Sequence, residues 1–213
     1  MASLMLSASP QSKFLRFVAA AVSSKVKIEK TGAAAAAGLR LASGEVLEAA
    51  TASNSIAKYI ASQAPNATQW LGSSPLERAE VSSWVSFSLG QGVGAAKFGV
   101  AGVEAWLTRL EGAVSTRSYL VGSAISLADI AVFYRSYPYF SSLPPSRRMA
   151  APVAELGRWF DQIQHQTAAA GAAAALSVLC IERGVPAAAE PAAKGCVNSE
   201  GNLHQLSSCC PPN

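Results

Sequence analysis

Residues 1–66 combine short apolar runs of strand length with segments whose apolar residues recur at helical spacing. Short apolar runs, SLMLSA, KVKIEK, LRLAS and EVLEAA, have the length of β-strands, and the last two flank Ser43-Gly44, which predicts a hairpin. Between the first two runs, Pro10 opens a helix whose apolar residues share one face: Phe14, Phe17, Val18, Ala21 and Val22. TASNSIAKYIASQAP predicts a second helix, capped near Ser53. We therefore expect a small α/β subdomain, interrupted by the low-complexity spacer TGAAAAAG.

Beyond Gln69 the pattern becomes helical throughout. Three helices are predicted from apolar faces with helical spacing: Val81, Trp84, Val85 and Leu89; Val103, Leu107, Leu110 and Val114; and Val153, Leu156, Trp159, Phe160 and Ile163. A further helix starts after Ser126, SSLPPSRR predicts a turn, and AAAGAAAALSVLCI predicts the last helix. The composition after Gly184 is typical of disorder. The predicted organisation is an α/β subdomain at 1–66, a helical domain at 70–183 and a disordered tail at 184–213.

Ser126 and Asp129 stand three residues apart in SYLVGSAISLADIAVFY, immediately before an apolar run. A hydroxyl and a carboxylate at this spacing fit either a nucleophile with a helper or the start of a helix. The helix start is favoured, because the two side chains can pair with each other's backbone N–H groups as a capping box. Ile125 and Ile130 fit the flanking hydrophobic staple. Catalysis would need a base or nucleophile that the stretch lacks, so we expect a structural role.

The composition argues against several classes of function. The chain of 213 residues carries a formal charge of +4, and its Lys and Arg residues are scattered, unlike those of an autonomous nucleic-acid binder. No apolar run reaches the roughly eighteen bulky residues of a membrane span. The glycine-rich patch GQGVGAAKFG lacks the Gly-Lys-Ser/Thr ending of a phosphate loop. We expect no metal and no cofactor, because zinc-site spacing is lacking among the cysteines, which are Cys180, Cys196, Cys209 and Cys210.

The N-terminal segment has two interpretations. Residues 1–28 contain no acid and are rich in Ser, Ala and scattered basic residues, which is the composition of an organelle transit peptide. The same residues also fit the folded strand, helix and strand described above. The chain has no cysteine before Cys180 and hence no disulfide framework for the folded part, which suits a reducing compartment. We expect a cytoplasmic protein, with organelle import as the alternative.

An α/β half followed by an all-α half, whose buried helix opens at YLVGSAISLADIAVF, resembles the glutathione transferases. In that family the Ser-x-x-Asp box is a folding element. The resemblance covers roughly Ser3 to Glu182. It implies a reduced thioredoxin-like N-terminal subdomain followed by the helical bundle of the glutathione transferase C-terminal half. The box indicates the fold and says little about activity.

Two further stretches resemble non-catalytic members of this fold in the translation machinery. ELGRWFDQIQHQ is similar to the Arg-Trp-Phe-x-x-Ile-Gln-His signature of the elongation factor 1 epsilon-like subunit of the multi-synthetase complex. SNSIAKYIA is similar to the Ser-Asn-Ala-Ile-Ala-x-Tyr pattern of elongation factor 1 gamma. The resemblance implies an adaptor that docks onto the glutathione transferase-like domain of an aminoacyl-tRNA synthetase or synthetase cofactor, with tRNA contacted only indirectly. It would put Arg158 at the docking surface, where a planar guanidinium can pair with a carboxylate.

Glutathione transferases lower the pKa of the thiol with a hydrogen bond from a Tyr, Ser or Cys just after the first strand. Ser7 and Ser9 occupy that neighbourhood, although Ser9 also fits a cap for the helix at Pro10. The family also holds glutathione with a cis-proline before the third strand and an acidic residue followed by Ser. This chain has no proline before LRLAS, and Ala52 precedes Ser53. Each lost charge-assisted bond costs about 1.5–3 kcal/mol. We expect Ser7, Ser9 and Ser53 to be vestigial and no residue to be catalytic; a glutathione-dependent transferase is the alternative.

Overall fold

The structure is a computed structural model that describes residues 2–7, 9–30, 37–90, 100–169 and 181. Within these residues the strands are β1 (Ser3–Leu6), β2 (Lys27–Lys30), β3 (Gly38–Arg40) and β4 (Val46–Glu48). The helices are α1 (Pro10–Ala21), α2 (Ala49–Ser62), α3 (Ala67–Leu71), α4 (Pro75–Gly90), α5 (Val100–Val114), α6 (Leu127–Ser142), α7 (Pro145–Arg148) and α8 (Ala154–Ala169).

The strands form one mixed sheet in the order β2-β1-β3-β4. β1 runs parallel to β2 and antiparallel to β3, and β3 and β4 form the predicted hairpin. All residues of β1 are buried, which explains why its sequence is an uninterrupted run rather than an alternating one. The parallel pair β1 and β2 is connected through α1, so the sheet and its first helix form one βαβ unit.

α1 begins at its predicted position because Ser9 caps it and Pro10 occupies the first helical position, where a missing N–H costs no hydrogen bond. Its predicted apolar face is buried in full: Phe14, Phe17, Val18, Ala21 and Val22. The rings of Phe14 and Phe17 each lie 5.4 Å from that of Tyr134 on α6. The acid-free N-terminal segment therefore contributes to the core, as its folded interpretation predicts.

α6 is the central helix of the helical half and contacts α1, α4 and α8. The ring of Phe133 stacks 5.9 Å from Phe17 and 4.7 Å from Phe160 on α8. Phe140, about two turns further along the same face of α6, lies 4.4 Å from Phe160. Because α6 contacts helices of both halves, its aromatic side chains join the α/β half to the bundle in one continuous core.

α2 begins earlier than predicted. It starts at Ala49, with Glu48 at the N-cap, rather than from a cap near Ser53. A kink explains the difference: Ala52 has a φ of −117° and a ψ of 20°, which are not helical, so an extra turn precedes the main part of the helix. Ser53 and Asn54, directly after the kink, resemble a helix start in sequence, and that is what the prediction detected.

Two short helices lie outside the predicted set. α3 occupies a segment for which no helix is predicted, and α7 occupies SSLPPSRR, for which a turn is predicted. Helices of one turn leave too few residues for a periodic signal, so sequence cannot separate them from turns. The predicted last helix at AAAGAAAALSVLCI and the tail at 184–213 lie outside the described residues, apart from Ala168 and Ala169, which end α8, and Ile181.

A small mixed sheet with helices, followed by a helical bundle, confirms the predicted fold class of an α/β subdomain plus an all-α domain. The boundary at residues 66–70 remains a prediction, and α3 lies across it. None of the helices in the described part of the chain has the length and apolar character needed to cross a membrane.

Candidate functional site

Three serines meet where β1 ends and α1 begins. The Ser9 hydroxyl accepts a hydrogen bond from the backbone N–H of Ser12 at 3.2 Å and donates to Ser12 Oγ at 3.0 Å. The backbone N–H of Ser7 donates to the same Ser12 oxygen at 3.1 Å. Ser12 is only 1% exposed and lies at the centre of the group. Sequence analysis missed Ser12, although its position three residues after an N-cap serine was an available signal.

These bonds decide which hydroxyl remains available to a ligand. A hydroxyl that activates a thiol must direct its proton to sulfur, but the Ser9 proton is directed to Ser12. Among the residues that the structure describes, Ser7 Oγ makes only long contacts, 3.4 Å from Ser12 Oγ and 3.4 Å from the backbone nitrogen of Ser9. Ser9 is therefore a helix cap, and Ser7 is the better placed of the two predicted serines to donate outward.

Ser53 satisfies the backbone of its own helix. Its hydroxyl donates to the carbonyl of Ala49, one turn earlier. The residue before it, Ala52, is the kinked position of α2, where the resemblance expects an acidic side chain. Serine commonly bonds to a carbonyl one turn back when it lies within a helix. Within the described residues, no hydrogen bond connects Ser53 to Ser7 or Ser9.

Arg158 joins the end of α5 to the start of α8. Its Nη2 donates to the carbonyls of Val114 at 2.9 Å and Arg117 at 3.1 Å, and its Nε donates to Glu155 at 2.8 Å. Val114 is the last residue of α5, so the guanidinium binds a carbonyl at the end of that helix, which also accepts from the N–H of Arg117 at 3.3 Å. The side chain is nevertheless 38% exposed. The predicted interface residue thus has a structural role that sequence alone did not show.

Glu111 on α5 makes the opposite connection. Its two carboxylate oxygens accept from the backbone N–H groups of Glu155 at 2.9 Å and Leu156 at 2.7 Å, at the start of α8. A carboxylate at a helix N-terminus satisfies free N–H groups and interacts favourably with the helix dipole. α5 therefore caps α8 through Glu111, while α8 caps α5 through Arg158. We refer to this arrangement as the reciprocal cap.

Asp129 and Ser126 form the capping box at the start of α6. Asp129 Oδ2 accepts from the N–H of Ser126 at 2.9 Å and from its hydroxyl at 2.8 Å. Asp129 Oδ1 accepts from the N–H of Leu120 at 2.9 Å and from Trp159 Nε1 at 3.2 Å. Burial raises the pKa of Asp129, and these donors act in the opposite direction. Of the residues expected in the hydrophobic staple, Ile130 is fully buried and Ile125 partly buried.

Neither a metal site nor a cysteine site emerges from the described residues. No group of three or more His, Cys, Asp or Glu side chains that could hold a metal ion is found in the part of the chain that the structure describes. All four cysteines lie outside that part.

Comparison with solved structures finds chains that share this fold. No family model matches the chain, and no curated protein matches it. The GST-like domain of elongation factor 1-gamma from Saccharomyces cerevisiae matches with a TM-score of 0.61 at 18% identity, over 88% of this chain and 99% of that one. A theta class glutathione S-transferase from Xanthomonas axonopodis pv. citri with glutathione bound matches at 0.58 and 18%, over 85% and 100%. A possible glutathione S-transferase from Rhodopseudomonas palustris matches at 0.59 and 17%, over 76% and 92%.

The chain has a glutathione transferase-like fold. At identities of 17% and 18%, the similarity shows the fold alone. Within a glutathione transferase-like fold, the group formed by Ser7, Ser9 and Ser12 lies directly after the first strand, where the resemblance places the hydroxyl that activates the thiol. The functional question therefore turns on how those hydroxyls are used.

Proposed function

We propose that this protein is a non-catalytic adaptor with a glutathione transferase-like fold, which assembles with the glutathione transferase-like domain of an aminoacyl-tRNA synthetase or synthetase cofactor. The observation that supports this proposal is the hydrogen bonding of the predicted glutathione residues. Ser9 caps α1, and Ser53 bonds to a carbonyl of its own helix. Both hydroxyls form hydrogen bonds with backbone groups. The fold has therefore lost groups that would bind glutathione, and its outer surfaces remain for binding another protein.

The similarity to the GST-like domain of a translation elongation factor supports the same direction. In the adaptor, tRNA is contacted only through the partner, because the net charge of +4 is small and its basic residues are dispersed. The protein acts in the cytoplasm and needs neither a metal nor a cofactor. Import into an organelle is the alternative location, and mass spectrometry of the mature N-terminus distinguishes the two.

Affinity for glutathione tests the non-catalytic part of the proposal. The full chain is passed over immobilised glutathione and assayed for conjugation of 1-chloro-2,4-dinitrobenzene. We expect no specific retention and no turnover above the uncatalysed rate. Turnover that falls at least tenfold in Ser7→Ala but persists in Ser9→Ala would instead establish a glutathione transferase that uses the more available hydroxyl.

Capture from a cell extract tests the adaptor part. The tagged chain should retain a methionyl- or glutamyl-tRNA synthetase or a synthetase cofactor, identified by mass spectrometry. Arg158→Ala alone is ambiguous, because Arg158 also caps α5. Glu111→Gln is the control, since it weakens the same helix junction from α5 and leaves Arg158 in place.

The two variants separate a surface role of Arg158 from a structural one. If capture falls in Arg158→Ala but not in Glu111→Gln, at equal loss of thermal stability, Arg158 contacts the partner. If capture falls equally in both, Arg158 acts through the packing of α5 on α8. If the unmodified chain retains no synthetase and no synthetase cofactor, the adaptor proposal is wrong.

A further inference from the structure

A cavity of about 280 Å³ opens between α3, the start of α4 and the loop that precedes α6. Its lining includes Gln69, Ser73, Glu77, Ser123 and Ser126. Hydroxyl, amide and carboxylate groups thus provide much of its polar surface. Neither the glutathione residues nor Arg158 contribute to this lining, so the cavity is separate from the site considered above.

Glu77 holds a negative charge at the cavity wall. Its Oε2 accepts from the backbone N–H of Ser73 at 2.7 Å, from the Ser73 hydroxyl at 2.7 Å and from the N–H of Ser74 at 3.4 Å. These donors lower the pKa of Glu77, with the Ser73 hydroxyl as the largest cause. Arg78, the adjacent cation, directs its Nε to the carbonyl of Gly72 at 3.2 Å.

The second carboxylate oxygen of Glu77 is uncommitted. Within the described residues, Oε1 accepts no hydrogen bond and takes part in no ion pair. It lies beside Gly122, at which an added Cβ would be 3.6 Å from Oε1, an ordinary van der Waals contact. Gln69 donates its amide nitrogen to the carbonyl of Ile125 at 3.3 Å, and its amide oxygen accepts no hydrogen bond there either. Among the residues that the structure describes, Glu77 is the only charged one in the lining of the cavity, and its Oε1 and the amide oxygen of Gln69 are acceptors without donors.

Backbone geometry maintains this arrangement. Gly72 has a φ of 100°, a left-handed conformation, and an added Cβ would lie 2.7 Å from Glu77 Cβ and 2.8 Å from the nitrogen of Arg78. The chain between α3 and α4 thus passes closely over the first turn of α4 and keeps the Glu77 side chain beside the cavity. On the opposite side, Ser126 is 2% exposed and is fixed by its bonds to Asp129.

We propose that this cavity binds a single cationic group, an ammonium or a guanidinium, which donates to the free oxygen of Glu77. Such groups carry only donors and match a site in which acceptors are left over. The cation can belong to a small molecule or to a Lys or Arg side chain of another protein. This inference does not depend on the adaptor role, because none of its residues contributes to that proposal.

Titration with methylguanidinium chloride, followed by the amide resonances of ¹⁵N-labelled protein, tests the proposal. We expect saturable shifts at Ser73, Ser74 and Gly122, and none with N-methylurea, which has a similar shape but no charge. Ac-Gly-Arg-Gly-amide is the second probe, because it carries the same group on a peptide. Binding of both probes points to a protein side chain, and binding of methylguanidinium alone points to a small molecule.

Four variants check the assignment. Glu77→Gln should weaken methylguanidinium binding about tenfold, and Ala124→Phe should block the cavity without altering Glu77. Ser74→Ala weakens the start of α4 but keeps the carboxylate, so binding should persist. Glu80→Gln removes the same charge from the same helix outside the cavity lining and should leave the affinity unchanged. Absence of saturable binding by both probes, or equal binding by Glu77→Gln, would overturn the proposal.

Discussion

Two helices of this chain begin with a serine followed three residues later by an acid, and the two starts differ in almost every other respect. At α6, Asp129 is fully buried, and its two oxygens accept bonds from Leu120, Ser126 and Trp159. At α4, Glu77 is partly exposed, and within the described part of the chain only one of its oxygens accepts hydrogen bonds, from Ser73 and Ser74. The same local spacing thus yields one carboxylate whose two oxygens both accept hydrogen bonds and, among the described residues, another with one oxygen that accepts none.

The difference arises from the surroundings rather than from the helix start itself. Asp129 is surrounded by the loop before α6 and by Trp159 of α8, so its carboxylate connects three parts of the helical half. Glu77 borders a cavity, and the donors it receives from described residues all belong to Ser73 and Ser74 beside its own helix start. A Ser-x-x-acid pattern therefore predicts where a helix begins, whereas tertiary packing decides whether the acid is structural or available for binding.

The largest expected effect is that of Asp129→Ala. It would leave the N–H groups of Leu120 and Ser126 and the Trp159 indole without an acceptor inside the core. At about 1–3 kcal/mol for each buried unsatisfied group, with partial relaxation, we expect the free energy of unfolding to fall by about 4 kcal/mol. Urea denaturation monitored by circular dichroism measures it. A loss below about 1 kcal/mol would show that the buried carboxylate is not the structural centre inferred here.

The next effect is that of Ser126→Ala. It removes a hydroxyl that is 2% exposed and donates to Asp129 at 2.8 Å. We expect a loss of about 2 kcal/mol, at the upper end for a helix cap, because the bond is charge-assisted and buried. Denaturation of the single variant and of Ser126→Ala combined with Asp129→Ala gives the coupling. Full additivity of the two losses would contradict a direct interaction.

A smaller effect is expected from Ser74→Ala, the corresponding change at α4. Ser74 Oγ accepts from the N–H of Glu77 at 3.1 Å in a half-exposed position, where water can replace the lost bond. We expect a loss of about 0.5–1 kcal/mol by the same urea assay. If Ser74→Ala costs as much as Ser126→Ala, burial does not explain the contrast between the two helix starts.

The smallest expected difference concerns pH: the contributions of Asp129 and Glu77 to the free energy of unfolding should change in opposite directions as pH rises. Asp129 has a pKa raised above its ordinary 3.8, so the native state binds more protons, and its contribution to stability declines as pH rises from 3.8 through the folded value. Glu77 has a pKa below its ordinary 4.5, so its contribution is present above 4.5 and is lost as pH falls through the folded value. Unfolding of the parent, Asp129→Asn and Glu77→Gln, compared from about pH 3 to 6, should reveal opposite slopes. Slopes of the same sign would refute this assignment.

Local features of the fold could be predicted from sequence. The start of α6 follows from Ser126 and Asp129, and the buried face of α1 follows from helical spacing, because both depend on residues within one or two turns. The kink at Ala52 and the one-turn helices α3 and α7 could not be predicted, since a single non-helical residue or a single turn leaves no periodic signal.

The candidate site was harder to predict, because its decisive bonds join distant parts of the chain. Arg158 was singled out as a surface residue, but its bond to Val114 spans 44 residues. Glu111 was not singled out, for the same reason. The free oxygen of Glu77 depends on which donors reach the carboxylate, and no pattern of residue types records that. Ser9 is the exception, since its capping role follows from the proline after it.

The reciprocal cap has a mechanical consequence for α5 and α8. Each helix end depends on a side chain from the other helix, Glu111 in one direction and Arg158 in the other. Sliding one helix along the other by a single turn would break both connections at once, so no intermediate position retains half of the stabilisation. The two helices should therefore hold one longitudinal register and exchange their amide hydrogens in a single cooperative opening rather than fraying separately.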